Sequence, residues 1–146
     1  MLIVMQIMTK KAVYPHGTRK IKPTVASLTK KLDLVFGAYI RKRDEDLPCI
    51  DLCGRWGVHQ AGHFRRRELK STRWNEKNVN GQNAYCNCWD NDTYRHAKGI
   101  DKKWGKGTAE MLEKESRKTK QWTVRELEEK IEFYKNETRR LVEQTT

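Results

Sequence analysis

Apolar side chains recur at intervals of three and four residues in a segment that follows Thr24, which is the periodicity of an amphipathic helix. Threonine is a residue type that caps helix N-termini, and the bases at 41–43 suit the negative end of a helix. The acidic run at 44–48, which ends in proline, then interrupts the pattern. We therefore predict an amphipathic helix within residues 24–48 that packs its apolar face on the core. The positions that carry the pattern are Val25, Leu28, Leu32, Val35, Phe36, Tyr39 and Ile40.

A second segment with helical periodicity spans residues 124–141. Thr123 and Glu126 have the spacing of a capping box, in which the threonine caps the backbone and the glutamate reaches back to it. The apolar residues of this segment form a stripe along one side of the predicted helix. This stripe could pack on the core or pair with a second copy of the chain, but fewer than three heptads rarely hold a dimer alone. Packing on the core is our prediction, and a homodimer is the alternative. The stripe consists of Val124, Leu127, Ile131, Tyr134, Thr138 and Leu141.

The patterns between these two segments are weaker. Residues 91–98 predict one or two helical turns that Gly99 stops, and residues 102–107 predict a loop with lysines and glycines. Residues 108–118 predict a short helix. We accordingly expect a C-terminal helical region over residues 101–146.

Composition and charge change this picture in two ways. Hydrophobic residues make up 36% of the 146 residues and charged residues 34%, so the core is small and we expect a staple such as bound metal to support it. The net charge is +12, and ten of the lysines and arginines lie in residues 1–43 beside a single acid, Asp33. This basic half predicts a polyanionic partner, above all nucleic acid, with residues 1–23 as a basic arm; simple solubility is the alternative.

The apolar start of the chain does not predict export. Residues 1–8 lack the basic region and the cleavage site of a secretory signal, and they are too short to span a membrane. We therefore expect a cytoplasmic protein with no membrane partner, in which cysteines stay reduced and metal binding is favoured over disulfides.

All four cysteines lie in two tight pairs, a set that matches the tetrahedral coordination of a structural zinc ion. The gaps within the pairs are three residues and one residue, whereas a gap of two is the commonest. Unligated thiols, or three thiols with His59 or His96, are therefore the alternatives. The predicted zinc ligands are Cys49, Cys53, Cys86 and Cys88.

His63 lies between the cysteine pairs, directly before a cluster of bases. A neutral imidazole can take a proton from a water molecule that attacks a phosphodiester, although a lone histidine is more often structural. The Asn78 amide could hydrogen-bond the imidazole or the backbone; an ordinary turn asparagine is the alternative. The basic cluster is suited to holding phosphates. Its members are Arg65, Arg66, Arg67, Lys70 and Arg73.

Nothing else in the sequence has the pattern of a site. There is no glycine-rich phosphate loop, no Ser/His/Asp arrangement and no dinucleotide fingerprint. Trp74 either fills the core or stacks on an unpaired base, and we favour the core.

Taken in order, these motifs resemble the NinG/Rap family of phage recombination endonucleases, which are related to the HNH (His-Me finger) nucleases. The resemblance runs from about residue 30 to the C-terminal helix. The segments that carry it are YIRKRD at 39–44, Cys49, Cys53 with Gly54, AGHF at 61–64, RWNEKN at 73–78, Gln82, Cys86 with Asn87, and Tyr94 with Arg95.

The resemblance implies an α+β fold, with a small zinc-stapled ββα-metal core at residues 49–100 flanked by an N-terminal helix and C-terminal helices. It implies an endonuclease for branched or single-stranded DNA, such as Holliday junctions or D-loops, in the cytoplasm of a bacterial host. By that resemblance His63 is the general base, and Asn78 holds the loop and the histidine. Asn87 or Asn91 binds a catalytic Mg²⁺ or Mn²⁺ ion at the scissile phosphate.

Several positions depart from the family pattern. The first cysteine pair is wider by one residue, and Asn83 and Asn80 replace a usual cysteine and histidine. Cys88 is the candidate replacement ligand. Only His59 and Gln60 stand before the AGHF motif, where an acidic metal ligand is expected. These departures keep a second function open, that of a zinc-containing nucleic-acid-binding protein that does not cut.

Overall fold

The computed structural model describes residues 21–57 and 59–145, and this part of the chain forms four α-helices and a two-stranded sheet. All but the last three residues of the expected basic arm, 1–23, lie outside the described residues, so the arm stays a prediction. Among the described helices, none combines the length and the apolar character needed to cross a membrane.

α1 (Val25–Arg43) and α4 (Val124–Thr145) are the two long helices, and they pack against each other. Both begin at the caps that the sequence predicts. The Thr24 hydroxyl accepts a hydrogen bond from the N–H three residues later at 3.1 Å, and Glu126 accepts one from the N–H of Thr123 at 2.8 Å. α4 packs on the core, as its apolar stripe predicts, and a homodimer through this helix stays a prediction.

The main core lies between α1, α4 and the sheet. Phe36 and Tyr134 meet edge to face with their ring centres 4.7 Å apart. Trp74 is only 4% exposed and packs in the same core, which confirms that this indole is a core residue. The buried members of the core are Leu28, Leu32, Phe36, Tyr39, Ile40, Trp74, Val79, Leu127, Ile131 and Tyr134.

The sheet is a single antiparallel pair of β1 (His59–His63) and β2 (Val79–Asn83), joined by a long loop at 64–78. A π-helical turn (Cys86–Asp90) and α2 (Thr93–Trp104) follow the second strand. The cysteine-containing segment therefore runs strand, loop, strand, helix. In coarse terms this is the mixed fold of helices and a small sheet that the sequence predicts.

α2 is longer than the sequence predicts. We expected helical turns that end at Gly99 and a loop from residue 102, but α2 continues through Gly99 to Trp104. A Cβ atom at position 99 would collide with the backbone carbonyl oxygen of Ile50. The glycine therefore allows the helix to lie directly against residue 50, and it does not end the helix.

The turn comes instead at Gly105 and Gly107, which both have positive φ angles, and α3 (Thr108–Ser116) follows. α2 and α3 enclose a second, smaller apolar cluster that is separate from the main core. Its buried members are Ile50, Ile100, Ala109 and Leu112.

A buried carboxylate joins α1, β2 and α2. Asp44 is 2% exposed and accepts hydrogen bonds from the Gly81 N–H at 2.7 Å and from the Lys103 amine at 2.8 Å, and it pairs with the Arg43 guanidinium at 2.7 Å. Burial opposes ionisation of Asp44, but its hydrogen bonds and these cations outweigh burial and lower its pKa. The Asn80 side chain accepts from Lys103 at 3.0 Å in the same network. Asn80 is therefore a structural residue here.

We expect Gly99→Ala to destabilise the protein by about 3 kcal/mol, because the added methyl group overlaps a backbone carbonyl that cannot move independently. The higher helix propensity of alanine would offset only about 1 kcal/mol of this. Urea unfolding measures the effect, with Lys98→Ala on the exposed side of α2 as the control. A Gly99→Ala protein as stable as that control would contradict the close approach of α2 to residue 50.

Candidate active site and metal cluster

Three of the four cysteines converge from two separate parts of the chain. Cys49 and Cys53 lie in the loop that follows α1, and Cys86 begins the π-helical turn after β2. Their sulfur atoms all lie within 4.8 Å of one another. The loop turns back on itself through left-handed backbone at Leu52 and Gly54, with φ angles of 55° and 75°. This turn places both sulfur atoms of the first pair toward Cys86.

Hydrogen-bond donors surround these sulfur atoms. The Asn83 N–H donates to Cys49 Sγ at 3.2 Å, and the Arg55 guanidinium lies 3.9 Å from Cys86 Sγ. Burial and the neighbouring thiols raise the pKa of Cys86 to about 12, whereas at Cys53 the Arg55 N–H and the adjacent thiols outweigh burial and lower the pKa. Three adjacent thiols lose their protons together only when a cation neutralises them. The donor set fits a metal ion such as zinc.

Cys88 does not join this cluster. Its thiol is exposed and lies 3.6 Å from Oε1 of Gln60. Residues two positions apart on a helical turn point to different sides, so Cys86 and Cys88 diverge. Asn83 contributes a backbone N–H to the cluster and no sulfur atom. The expected fourth thiolate is therefore not brought to the site.

The two histidine alternatives also lie elsewhere. His59 Nε2 is 2.7 Å from the carbonyl oxygen of Leu47. His96 Nδ1 is 3.1 Å from Oδ1 of the buried Asp51. Over residues 21–57 and 59–145, the cluster thus consists of three thiols.

His63 ends β1, and the loop between the strands holds its ring. Nε2 of His63 is 3.0 Å from the carbonyl oxygen of Arg73. A carbonyl only accepts, so Nε2 carries the proton and Nδ1 is the basic nitrogen. Burial lowers the pKa of His63, and the Arg67 cation adds to the effect, while the hydrogen bond to Arg73 opposes it. The ring is therefore neutral at neutral pH, as a general base must be.

Asn78 holds the loop, but its side chain does not contact the imidazole. Its Oδ1 accepts from the Arg65 N–H at 2.7 Å, and its Nδ2 donates to the carbonyl oxygens of Arg65 and Thr72, both at 3.0 Å. Its own carbonyl accepts from the Phe64 N–H at 2.9 Å. Asn78 is fully buried, and it satisfies backbone groups at both ends of the segment that precedes Arg73. Its influence on His63 passes through the backbone.

A cavity of about 320 Å³ lies beside His63. Asn87 and Gln60 line it, and the Asn87 amide donates to Gln60 Oε1 at 2.7 Å. Asn91 is not among the lining residues; its N–H closes the π-helical turn on the carbonyl of Cys86 at 2.9 Å. The structure therefore brings Asn87, and not Asn91, to the candidate active site. The amide oxygens of Asn87 and Gln60 suit a hard cation such as Mg²⁺ or Mn²⁺.

The sequence comparisons decide the family. The family model described as Bacteriophage Lambda NinG protein matches residues 9–144 of this chain.

The chain belongs to the NinG family.

A curated relative is similar over a shorter segment. Protein ninG of Escherichia phage lambda is 41% identical over 61 residues, which are 40% of this chain and 29% of the lambda protein. The aligned segment thus spans under a third of that NinG protein. No solved structure matches the chain. The resemblance to NinG is confirmed, while the relation to Rap and to the HNH nucleases stays a prediction.

Two of the five predicted phosphate-binding bases of this NinG-family chain are engaged internally. Arg73 donates two hydrogen bonds to Asp33, at 3.0 and 2.6 Å, and Arg65 pairs with Glu113 at 2.5 Å. The other three are exposed and form no ion pair with any described residue. These three are Arg66, Arg67 and Lys70.

Two residues of the site are not among those that the sequence predicts. Asp33 accepts from Arg73 and, at 3.0 Å, from the Trp74 indole N–H, so it fixes the segment whose carbonyl orients His63. Its signal in the sequence is that it is the single acid of a basic region. Gln60 has no signal beyond its place shortly before the histidine.

We expect purified protein to contain about one zinc ion per chain. Changing Cys49, Cys53 or Cys86 to serine should remove the zinc and impair folding, since binding at such sites is coupled to folding. Cys88→Ser is the matched control and should keep the zinc. Elemental analysis of the four variants is the measurement. Loss of zinc from Cys88→Ser would mean that the exposed thiol is a ligand after all.

We expect Asn78→Ala to destabilise the protein by about 3 kcal/mol, because it removes the partners of one buried and two partly buried backbone groups. Asn75→Ala is the control, since that side chain makes one local hydrogen bond, from the Lys77 N–H at 2.9 Å. The control should cost under about 1 kcal/mol. Urea unfolding of the zinc-loaded variants measures both changes. Equal stabilities would show that Asn78 does not hold the loop.

Proposed function

We propose that this NinG-family protein is a metal-dependent DNA endonuclease that acts on branched recombination intermediates, such as Holliday junctions or D-loops. Its place of action is the cytoplasm of the bacterial host. The observation that carries the proposal is the state of His63, a neutral ring whose Nε2 is held by a carbonyl and which lines a cavity. The order strand, loop, strand, helix beside a thiol cluster supports a relation to the Rap and HNH nucleases.

His63 is the general base in this proposal. Its Nδ1 takes a proton from a water molecule as the water oxygen bonds to phosphorus and the bond to the 3′ oxygen breaks. The Arg73 carbonyl keeps Nε2 protonated and thereby keeps Nδ1 available. Asn78 is a positioning residue, since it holds the loop that carries this carbonyl.

Asn87 and Gln60 are the residues that would hold the catalytic ion, through their amide oxygens. Bound Mg²⁺ or Mn²⁺ supplies charge stabilisation at the scissile phosphate and the leaving oxygen. The acid that lines the cavity, Asp33, already accepts hydrogen bonds from Arg73 and Trp74. The protein donors are therefore neutral, and the ion depends on the DNA phosphate for an anionic ligand.

The free bases hold the DNA backbone. Arg67 lines the cavity of His63, and Arg66 and Lys70 lie on the same loop. A guanidinium can bind a phosphate through two hydrogen bonds, which fixes position as well as adding affinity. These bases would place a phosphate beside His63.

A second candidate function is that of a zinc-containing nucleic-acid-binding protein that does not cut. The neutral donor set favours it, because Mg²⁺ sites in proteins usually include one or two carboxylates. Such a protein would bind branched DNA equally well with and without a divalent ion.

The proposal predicts that wild-type protein cuts a labelled four-way junction with Mg²⁺ or Mn²⁺ and that His63→Ala cuts it at least about 100-fold more slowly. Added imidazole should restore part of the activity of His63→Ala, which it would not do if the histidine were only structural. Junction binding measured in parallel should be unchanged. Binding without cutting by the wild type under either ion would favour the second candidate, and full activity in His63→Ala would exclude this base.

The pH dependence of cleavage provides a separate test. Burial lowers the pKa of His63 below its ordinary value of 6.5, so the imidazole becomes protonated only at a pH below that value. The protonation of His63 should therefore not limit the rate of cleavage above pH 6.5, and the rate should decline only as the pH falls below that value. A decline centred above pH 6.5 would mean that a different group is the base. Single-turnover rates across the pH range are the measurement.

A further inference from the structure

We infer that the DNA strand to be cut lies along one side of α1, with its phosphates held by two exposed α1 bases, Lys30 and Arg41, together with Arg67 and Lys70. This inference rests on the proposed function, because it takes DNA as the substrate and His63 as the reacting group. It adds α1 to the site as a substrate-binding surface.

Two cavities carry the inference, and α1 lines both of them. The cavity of about 320 Å³ beside His63 is lined on the α1 side by Leu34, Gly37 and Arg41, among others. A cavity of about 650 Å³ is lined on the α1 side by residues that include Ala26 and Lys30. α1 therefore connects the two cavities.

The α1 residues of the two cavities form one row. Positions 26, 30, 34, 37 and 41 are three or four apart, the spacing of residues on one side of a helix. A helix rises about 1.5 Å per residue, so the row is about 22 Å long. One strand of B-form DNA has a phosphate about every 3.4 Å along its axis, so a row of this length can follow several phosphates.

The charges along the row suit a phosphate backbone. Lys30 and Arg41 come from α1, Arg67 lines the first cavity and Lys70 the second. None of these four side chains forms an ion pair with a residue in the part of the chain that the structure describes. Asp33, the acid that lines the first cavity, is paired with Arg73 through two hydrogen bonds, and no acid among the described residues lines the second cavity. The bases that line the two cavities outnumber this acid, which favours a polyanion.

Gly37 leaves space beside α1 for one of the four bases, Arg41. Gly37 is buried in the middle of α1, where glycine costs about 1 kcal/mol relative to alanine. A Cβ atom there would lie 3.2 Å from the Arg41 guanidinium and 3.8 Å from the Cβ of Ala61 in β1. The missing side chain therefore leaves room for the guanidinium of the exposed Arg41 next to position 37.

The test compares charge removal on and beside the row. In a His63→Ala background without added divalent ion, we expect Lys30→Gln and Arg41→Gln each to weaken junction binding about 3- to 10-fold and to lower the slope of log K against log salt by about one. Lys31→Gln and Arg139→Gln are the controls, both exposed and off the row, and should change affinity less than about 2-fold. Fluorescence anisotropy at several salt concentrations is the measurement.

Equal effects of Lys30→Gln and Lys31→Gln would overturn the inference, because binding would then follow net charge alone. No effect of Lys30→Gln and Arg41→Gln would overturn it as well. These outcomes are independent of cleavage. If the wild type does not cut while the row variants weaken binding, the nuclease assignment fails and the surface stands. If the wild type cuts and His63→Ala does not, but the row variants bind normally, the nuclease assignment stands and the surface fails.

Discussion

The hydrogen bond between His63 and the carbonyl oxygen of Arg73 is the contact on which the candidate site depends, because it sets both the orientation and the tautomer of the imidazole. That carbonyl belongs to a loop with no helix or strand of its own. Two sets of hydrogen bonds hold the loop instead, those of the buried Asn78 amide within it and those of the partly buried Asp33 carboxylate on α1. An acid on a distant helix thus positions the ring of a histidine on the sheet.

The thiol cluster lies at the end of β2, and it contains three thiols where a closed zinc site would have four. Cys49 and Cys86 are almost fully buried, and with Cys53 they tie the loop after α1 to the turn after β2. A zinc ion with three thiolates has one further coordination position, which a neutral ligand such as water can fill. A cluster of three thiols therefore carries less negative charge than a site of four thiolates and can still join the two segments through a bound ion.

Features encoded by local sequence are predictable, and features that depend on distant neighbours are not. The caps at Thr24 and Thr123 and the two amphipathic helices follow from residues a few positions apart. Gly99 was expected to stop a helix, but its role is set by a carbonyl that approaches from residue 50. The same holds for Arg73, whose partner Asp33 is forty positions away, and for Cys88, whose direction is set by a π-helical turn that the sequence does not reveal.

The charges around His63 separate the two candidate functions on physical grounds. The cavity is lined by two cations, an acid that is paired with Arg73 and two amide side chains, so its described lining residues offer a divalent cation no unpaired anionic ligand when no DNA is present. A DNA phosphate in this cavity reverses the local charge and adds an anionic ligand. Divalent-ion binding and DNA binding would then be mutually dependent in a nuclease, because each supplies the charge that the other lacks. In a protein that only binds DNA, the cations alone suffice, and no such dependence arises.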